Sequence, residues 1–261
     1  MKPYQRIIFP VDVSDIRKAT ALVNKLLPYV GIFKFGFESI YSTMADLLLS
    51  SKQEAMECLT QVRLLAAAVG HQAFLDVKLD DIPNTVGQAS LAIARMNPKM
   101  LNVHASAGQE AIKRAAANKG AAKLLGVTVL TSIDDKECVS IFGDKPDIKV
   151  LQFSKMLLDA GADGVICAPK EGQLIRTRPE FSHLLVVCPN IRPPWTYSKD
   201  DQNKERQMTP FDAIASGIDM LVIGRPISNP PVDVGGPVEA ARRIAQEISS
   251  ALDCGNGNSP H

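Results

Sequence analysis

Short apolar runs rich in Val, Ile, Leu and Phe recur along the chain, and longer segments with helical spacing of apolar residues lie between them. The runs that predict strands are Arg6 to Val13, Gly31 to Phe37, Ala73 to Leu79, Met100 to His104, Leu124 to Thr131, Gly164 to Cys167, Leu184 to Cys188 and Met220 to Ile223. The clearest helical segments are Asp15 to Leu27, Glu54 to Val69, Asp147 to Ala160 and Val238 to Leu252, the first behind the candidate N-cap Ser14. The pattern therefore predicts a repeated order of strand and helix.

This alternation indicates parallel strands joined by crossover helices, because the runs lack the turn signals of hairpins. Eight such units in 261 residues predict an α/β protein with a single (β/α)₈ TIM barrel over residues 1–252. A doubly wound open sheet has the same alternation and is the alternative fold. No linker or change in composition marks a domain boundary, and the polar residues 253–261 are expected to form a flexible C-terminal tail.

The composition is that of an ordinary globular protein, with 46% hydrophobic and 22% charged residues. The formal net charge is +1, and no dense block of Lys and Arg with interleaved aromatic residues is present. Nucleic acid is therefore not an expected partner.

The cysteine and histidine positions bear on redox compartment and metal binding. The five cysteines are scattered without a C-x-x-C pair, which is typical of reduced thiols in the cytosol, and the four histidines lack metal-site spacing. The N-terminal residues lead into a strand without the apolar core of a signal peptide, and no run is long enough to span a bilayer. We expect a cytoplasmic protein with no metal and no membrane segment.

The third run carries a lysine between carboxylates. On a strand, Asp76, Lys78 and Asp80 share one face, while the apolar residues between them face the other side. A polar face at the end of an apolar strand is typical of a functional site. The alternative is a solvated edge strand with a surface ion pair.

Other predicted strands also end in polar residues. In a barrel the carboxyl ends of the strands converge on the active site. Asp12 follows the first run, Lys34 lies in the second, His104 ends the fourth and Ser132 follows the fifth. Each residue alone is weak support, and His104 is better interpreted as a hydrogen-bonded core histidine. Their shared placement nevertheless predicts one site.

The end of the chain's last predicted strand has the features of a phosphate site. Gly224 and Arg225 follow this strand directly, and barrels often bind phosphate after strands seven and eight. The preceding segment, Pro189 to Pro210, is long and polar, which is typical of a lid, although a surface insertion would have the same composition.

Lys78 could act as a charged proton donor or as a neutral amine that forms a Schiff base. An opposite charge at ~4 Å contributes on the order of 4 kcal/mol at intermediate dielectric. The neighbouring carboxylates therefore favour the charged form of Lys78, which is a poor nucleophile but can protonate a carbanion.

The segment Asp76-Val77-Lys78-Leu79-Asp80-Asp81-Ile82-Pro83-Asn84-Thr85 resembles the D-x-K-x-x-D-I-P-x-T motif of orotidine 5'-phosphate decarboxylases. The resemblance extends from Asp12 to about Ile227. Further matching segments occur in the family's order: Val11-Asp12-Val13-Ser14, Phe33-Lys34-Phe35-Gly36, Val103-His104-Ala105, Leu130-Thr131-Ser132, Asp163 to Cys167, Pro189 to Pro193, Met208-Thr209-Pro210 and Ile223-Gly224-Arg225.

The resemblance implies decarboxylation of orotidine 5'-monophosphate to uridine 5'-monophosphate without a cofactor, in a homodimer with shared active sites. It implies that Lys78 protonates carbon 6 and that Asp76 lies against the substrate carboxylate. It also implies that Asp81 belongs to the catalytic charged network and reaches the ribose across the dimer interface. Lys34 would pair with the carboxylates. The residues implied to bind substrate are Asp12, Lys34, Thr85, Ser132, Arg192, Gln202, Gly224 and Arg225.

Several rival functions accompany this resemblance, as do departures from the family pattern at Asn190, at Pro194-Trp195 and in Ser228 to Pro237. Asn190 stands where the family commonly has glycine, and Asn tolerates a positive φ angle better than most residues. A 3-keto-gulonate-phosphate decarboxylase shares D-x-K-x-x-D but uses magnesium and an acidic residue in place of Lys34. A nucleotide-binding protein without turnover and a Schiff-base aldolase acting through Lys78 are two further candidate functions.

Overall fold

Eight parallel strands form a closed barrel in chain order, and β8 pairs with β1 to complete it. The computed structural model describes residues 1–196 and 207–255. The strands are β1 Ile7–Pro10, β2 Ile32–Phe35, β3 Ala73–Leu79, β4 Met100–His104, β5 Lys123–Val127, β6 Gly164–Ile166, β7 Leu185–Cys188 and β8 Met220–Val222. The predicted TIM barrel is confirmed, and the pairing of Ile7 with Leu221 rules out the open sheet.

Helices cover the outside of the barrel. They are α1 Ile16–Leu26, α2 Phe37–Leu49, α3 Lys52–Val69, α4 Pro83–Ala94, α5 Gln109–Asn118, α6 Asp135–Phe142, α7 Pro146–Asp159, α8 Pro169–Arg176, α9 Pro210–Ala215, α10 Arg225–Ser228 and α11 Pro237–Gly255. The four helices predicted from periodicity are α1, α3, α7 and α11, and all four are confirmed to within a few residues.

The N-cap predicted for α1 is wrong by one residue. The side chain of Asp15, not Ser14, accepts hydrogen bonds from the backbone N–H groups at the start of α1. Ser14 instead donates to the Glu38 carboxylate over 2.8 Å. Both residue types are good caps, so the sequence alone could not choose between adjacent positions.

Strand alternation divides the apolar residues into two cores. The inward-facing residues fill the barrel, and the outward-facing ones pack beneath the helices. The inner layer comprises Ile8, Ile32, Phe74, Met100, Leu125, Val187 and Met220. Burial of each large side chain contributes about 1.5–3 kcal/mol, so this layer is a stable floor for whatever lies above it.

The pairing of β3 with β4 is irregular near its carboxyl end. Leu75 pairs with Leu101 and Leu79 pairs with Val103, so four steps along β3 match only two along β4. Lys78 lies within this bulge with φ of +45°, in the left-handed region that residues with a Cβ seldom adopt. Bulges often re-aim a side chain next to an active site.

The C-terminal helix continues past the predicted domain boundary at Leu252. α11 runs to Gly255, so residues 253–255 of the expected tail are helical, and 256–261 lie outside the described residues. Across the part of the chain that the structure describes, no helix combines the length and apolar character needed to cross a bilayer.

Candidate active site

A cavity of about 320 Å³ opens at the carboxyl ends of the strands. It lies above the apolar layer of the barrel interior, because the inward-facing residue of β2, β3 and β4 becomes polar two positions further along each strand. These polar residues are Lys34, Asp76 and Asn102. A deep polar layer on an apolar floor is typical of a barrel active site.

Asp76 is the centre of a charged triad that consists of Lys34, Asp76 and Lys78. Lys34 Nζ lies 2.7 Å from Asp76 Oδ2, and Lys78 Nζ lies 2.7 Å from Asp76 Oδ1. Asp12 extends the network, with Oδ1 3.8 Å from Lys34 Nζ. The solvated edge strand considered from sequence is therefore wrong, since only 8% of the Asp76 side chain is exposed.

The environment keeps Asp76 ionised. Burial raises the pKa of its carboxyl, but the charges of Lys34 and Lys78 and their hydrogen bonds outweigh burial, so this pKa lies below its ordinary value of 3.8. The cavity thus offers a fixed carboxylate flanked by two ammonium groups.

Asn102 is a site residue that the sequence interpretation missed. Its side chain is fully buried, and its Nδ2 donates to Asp76 Oδ1 over 2.6 Å. Its Oδ1 accepts the backbone N–H of Lys78 over 2.7 Å. The available signal was a lone amide within the apolar run of β4, on the same strand face as His104.

The far side of the cavity carries the predicted phosphate residues. Gly224, Arg225 and Arg192 all line it. A Cβ at Gly224 would lie 2.8 Å from the ring of Pro10, so glycine is required where β8 approaches β1. The backbone here is held close to the cavity, as a site for a phosphate group needs.

The long segment after β7 is anchored at both of its described ends. Arg192 N–H donates to the Met208 carbonyl over 2.9 Å, and the Trp195 indole contacts the Pro226 carbonyl at 3.5 Å. Asn190 has φ of +63°, so the departure from glycine is accommodated as expected. Gln202 lies outside the described residues, and the lid function remains a prediction.

Three predicted substrate residues are not in this chain's own cavity. Asp81, Thr85 and Ser132 do not line it, and the cavity is lined instead by Leu130 and Thr131 next to Ser132. Asp81 Oδ1 accepts its neighbouring Ile82 N–H, and Asp81 makes no ion pair with any residue in 1–196 or 207–255. A single chain therefore brings together only part of the predicted site.

His104 differs from its interpretation as a hydrogen-bonded core residue. It is half-buried at the end of β4, and its ring makes no hydrogen bond to the residues that the structure describes. Burial lowers the pKa of His104, the nearby Asp80 and Asp76 raise it, and Lys78 lowers it, with a net lowering. The imidazole is therefore largely neutral near pH 7.

The sequence matches the model of the orotidine 5'-phosphate decarboxylase / HUMPS family over residues 5–244. The chain belongs to this family. The described residues contain no group of three or more His, Cys, Asp or Glu side chains that could hold a metal ion.

Individual members of the orotidine 5'-phosphate decarboxylase / HUMPS family are similar along nearly the whole chain. The orotidine 5'-phosphate decarboxylase of Syntrophomonas wolfei is 37% identical and that of Moorella thermoacetica is 35% identical, each over 95% of this chain and 99% and 94% of the relative, respectively. The crystal structure of the Lactobacillus acidophilus orotidine 5'-phosphate decarboxylase superposes with a TM-score of 0.65 at 28% identity, over 93% of this chain and 98% of that one.

Proposed function

We propose that this protein decarboxylates orotidine 5'-monophosphate to uridine 5'-monophosphate and carbon dioxide, the last step of pyrimidine nucleotide synthesis, without a cofactor. The observation that carries this proposal is the charged triad, in which two ammonium groups contact opposite oxygens of one buried carboxylate. Such a site can supply a proton and an electrostatic field without a metal or an organic group.

The cavity has two chemically different ends that suit a nucleotide. Arg192 and Arg225 carry positive charge at one end, and the charged triad lies at the other. We infer that the phosphate binds near Gly224 and Arg225, while the pyrimidine ring lies over Lys78 with its carboxylate near Asp76. Guanidinium groups favour phosphate, because they form paired, charge-assisted hydrogen bonds.

The proposed reaction breaks the bond between ring carbon 6 and the carboxylate carbon. Carbon dioxide leaves, and the bonding electron pair remains on carbon 6. The Lys78 ammonium then donates a proton to carbon 6, and the resulting neutral amine takes a proton from solvent. Lys78 is suited to this role because it lines the cavity and its Nζ is held 2.7 Å from the Asp76 carboxylate.

Phosphate binding supports the chemistry at a distance. The phosphate contacts do not change during the reaction. Their binding free energy can therefore drive closure of the loop after β7 and removal of water from the reacting end of the cavity. The contact of Trp195 with Pro226 supports this coupling, since it joins the loop to the residue that follows Arg225.

We further propose a homodimer with shared active sites. Asp81 and Thr85 are exposed outside the cavity of their own chain, where a partner's substrate could meet them. Apolar side chains lie exposed nearby in sequence, with Ile82 after β3 exposed by 66%, and Phe37 and Tyr41 after the adjacent strand β2 exposed by 47% and 61%. Exposed apolar groups around polar functional residues are typical of a protein interface.

Lys34 argues against the magnesium-dependent sugar-phosphate chemistry. Its ammonium lies 2.7 Å from Asp76, where relatives with that chemistry place an acidic residue to help hold the metal. A cation at this position repels a divalent ion. A Schiff-base aldolase is less well supported, because Lys78 Nζ, the atom that would form the imine, is already engaged by the Asp76 carboxylate.

Turnover of orotidine 5'-monophosphate in the presence of a metal chelator tests the proposed function. We expect the ultraviolet absorbance of the substrate to be lost with the wild-type chain and with Lys123→Ala, which removes an exposed lysine at the opposite end of the barrel. Lys78→Ala should abolish turnover. Activity only on a keto-sugar phosphate with magnesium would assign the neighbouring chemistry instead, and nucleotide binding without release of carbon dioxide would indicate a binding protein.

A further inference from the structure

We propose that Asn102 is a positioning residue for the decarboxylation, an inference that rests on the proposed function. Its amide joins the Asp76 carboxylate to the Lys78 backbone, and so holds the charged triad in the arrangement that directs the Lys78 ammonium into the cavity. Asn102 does not itself line the cavity, and it acts through Asp76 and the backbone of β3.

The two partners of Asn102 determine which way its amide points. The backbone N–H of Lys78 can only donate, so the Asn102 atom that faces it must be the oxygen. The amide nitrogen consequently faces Asp76, where it donates to Oδ1. A side chain at this position needs one donor and one acceptor on a short stem, and asparagine provides both.

The oxygen of Asn102 replaces a missing backbone partner. The bulge between Leu75 and Leu79 interrupts the regular ladder between β3 and β4, and the Lys78 N–H falls within it. By accepting this N–H, Asn102 stabilises a backbone with φ of +45° at Lys78. The strained conformation is therefore supported from the neighbouring strand.

The nitrogen of Asn102 restricts the Asp76 carboxylate. Oδ1 accepts from both Lys78 and Asn102, while Oδ2 accepts from Lys34, so rotation of the carboxylate would break bonds on both sides. The charged or titratable groups that face Asp76 are Lys34 of β2, Lys78 of β3, the titratable imidazole of His104 of β4 and, through Lys34, Asp12 after β1. Asn102 adds a neutral donor to this set without changing its charge.

Asn102→Asp separates positioning from packing, because it preserves shape and the acceptor but removes the amide donor. We expect kcat for orotidine 5'-monophosphate to fall at least about 10-fold at pH 8, with KM changed less than about threefold, since misplacement of a reacting group affects mainly the chemical step. Lowering the pH should bring the kcat of Asn102→Asp closer to that of wild type. The carboxyl introduced at position 102 can donate to Asp76 once it is protonated, as the amide does in wild type. Asn102→Ala loses both bonds and should show a deficit that lower pH does not relieve.

Asn118→Asp is the matched control. Asn118 of α5 is a partly buried asparagine whose amide donates to the Gly87 carbonyl over 2.9 Å, away from the charged triad. It should retain wild-type kcat and the wild-type pH profile. A kcat and pH profile of Asn102→Asp equal to those of wild type would overturn the proposal, as would losses in activity that match a loss of folded protein.

Carbon-13 NMR of the Asp76 carboxyl tests the role of Asn102 independently of turnover. In Asn102→Ala the pKa of Asp76 should rise, because burial raises it and one hydrogen bond to its anion is lost. An unchanged Asp76 titration would contradict the role of Asn102 even in an active enzyme. If the wild-type chain fails to decarboxylate the nucleotide but the pKa of Asp76 still rises in Asn102→Ala, only the proposed function is contradicted.

Discussion

Lys34 Nζ lies 2.7 Å from Asp76 Oδ2, and both side chains are almost completely withdrawn from water, with 13% and 8% exposed. The pair joins the inward faces of β2 and β3 directly above the apolar layer. A buried carboxylate that loses a partner retains the cost of its own desolvation, so the two residues depend on each other for stability as well as for function.

Lys34→Met should destabilise the fold in a pH-dependent manner. We expect the free energy of unfolding in urea at pH 7 to fall by roughly 2 to 4 kcal/mol, because Asp76 then keeps only Lys78 and Asn102 as partners among the residues that the structure describes. Lys123→Met removes a half-exposed lysine from Asp163, which keeps Lys119 and the Leu124 N–H as partners, and should cost under about 1 kcal/mol.

The sign of this pH dependence follows from Asp76. Its wild-type pKa is below 3.8 in the folded state, so its favourable contribution is fully present above pH 3.8 and is lost as the pH falls through the folded value. Without Lys34, burial raises this pKa. The stability difference between wild type and Lys34→Met should therefore shrink on acidification, and a difference that grows toward acid would contradict the charge assignment.

Arg225→Ala should reduce kcat/KM for orotidine 5'-monophosphate by roughly 100-fold, because a charge-assisted contact with phosphate is lost. The same change should hardly affect the slow reaction of the nucleoside orotidine, which has no phosphate. Steady-state kinetics with both substrates test this, and Arg178→Ala, at an exposed arginine after α8, is the control. Equal losses for both substrates would place Arg225 outside the phosphate site.

Mixing two inactive variants should restore activity if active sites are shared. Lys78→Ala and Asp81→Ala homodimers each lack one component in both sites, whereas a mixed dimer has one complete site. After subunit exchange we expect about a quarter of wild-type activity, given random pairing in a twofold dimer. Light scattering should give a dimer mass. Failure to recover activity despite demonstrated exchange would show that Asp81 serves its own chain.

Glu247→Gln should stabilise the protein at alkaline pH. Burial raises the pKa of Glu247, the Phe211 backbone N–H lowers it and Asp212 raises it, with the result at about 7. The unfolded chain releases this proton near pH 4.5, so the stability contributed by the neutral carboxyl is lost as the pH rises from 4.5 to about 7.

Glutamine avoids this loss while keeping an acceptor for Phe211. Because Glu247 is only half-buried, we expect a gain of roughly 1–2 kcal/mol at pH 8 and little gain at pH 4 in urea unfolding. Glu110→Gln, in an exposed helical pair with Arg114, should show no such pH dependence. A uniform gain at both pH values would exclude titration of Glu247 as the cause.

Local patterns in the sequence are enough to predict eight strands, their order along the chain and the main polar positions. Alternation in β3 predicts that Asp76 and Lys78 face the same side, and the apolar runs predict eight parallel strands, because both patterns depend on local side-chain periodicity. The match of Asp76 to Thr85 with a known motif likewise needs no coordinates.

How these residues meet depends on contacts between distant parts of the chain. Closure of the barrel depends on the pairing of β1 with β8, and the contact of Asn102 with Asp76 depends on a bulge that changes the register of two strands. Such pairings form between residues distant in sequence, and a periodic pattern shows which face a side chain takes but not which residue of the next strand it meets. The family resemblance already implies that Asp81 reaches a partner subunit, and the structure adds that Asp81 and Thr85 both lie outside the cavity of their own chain.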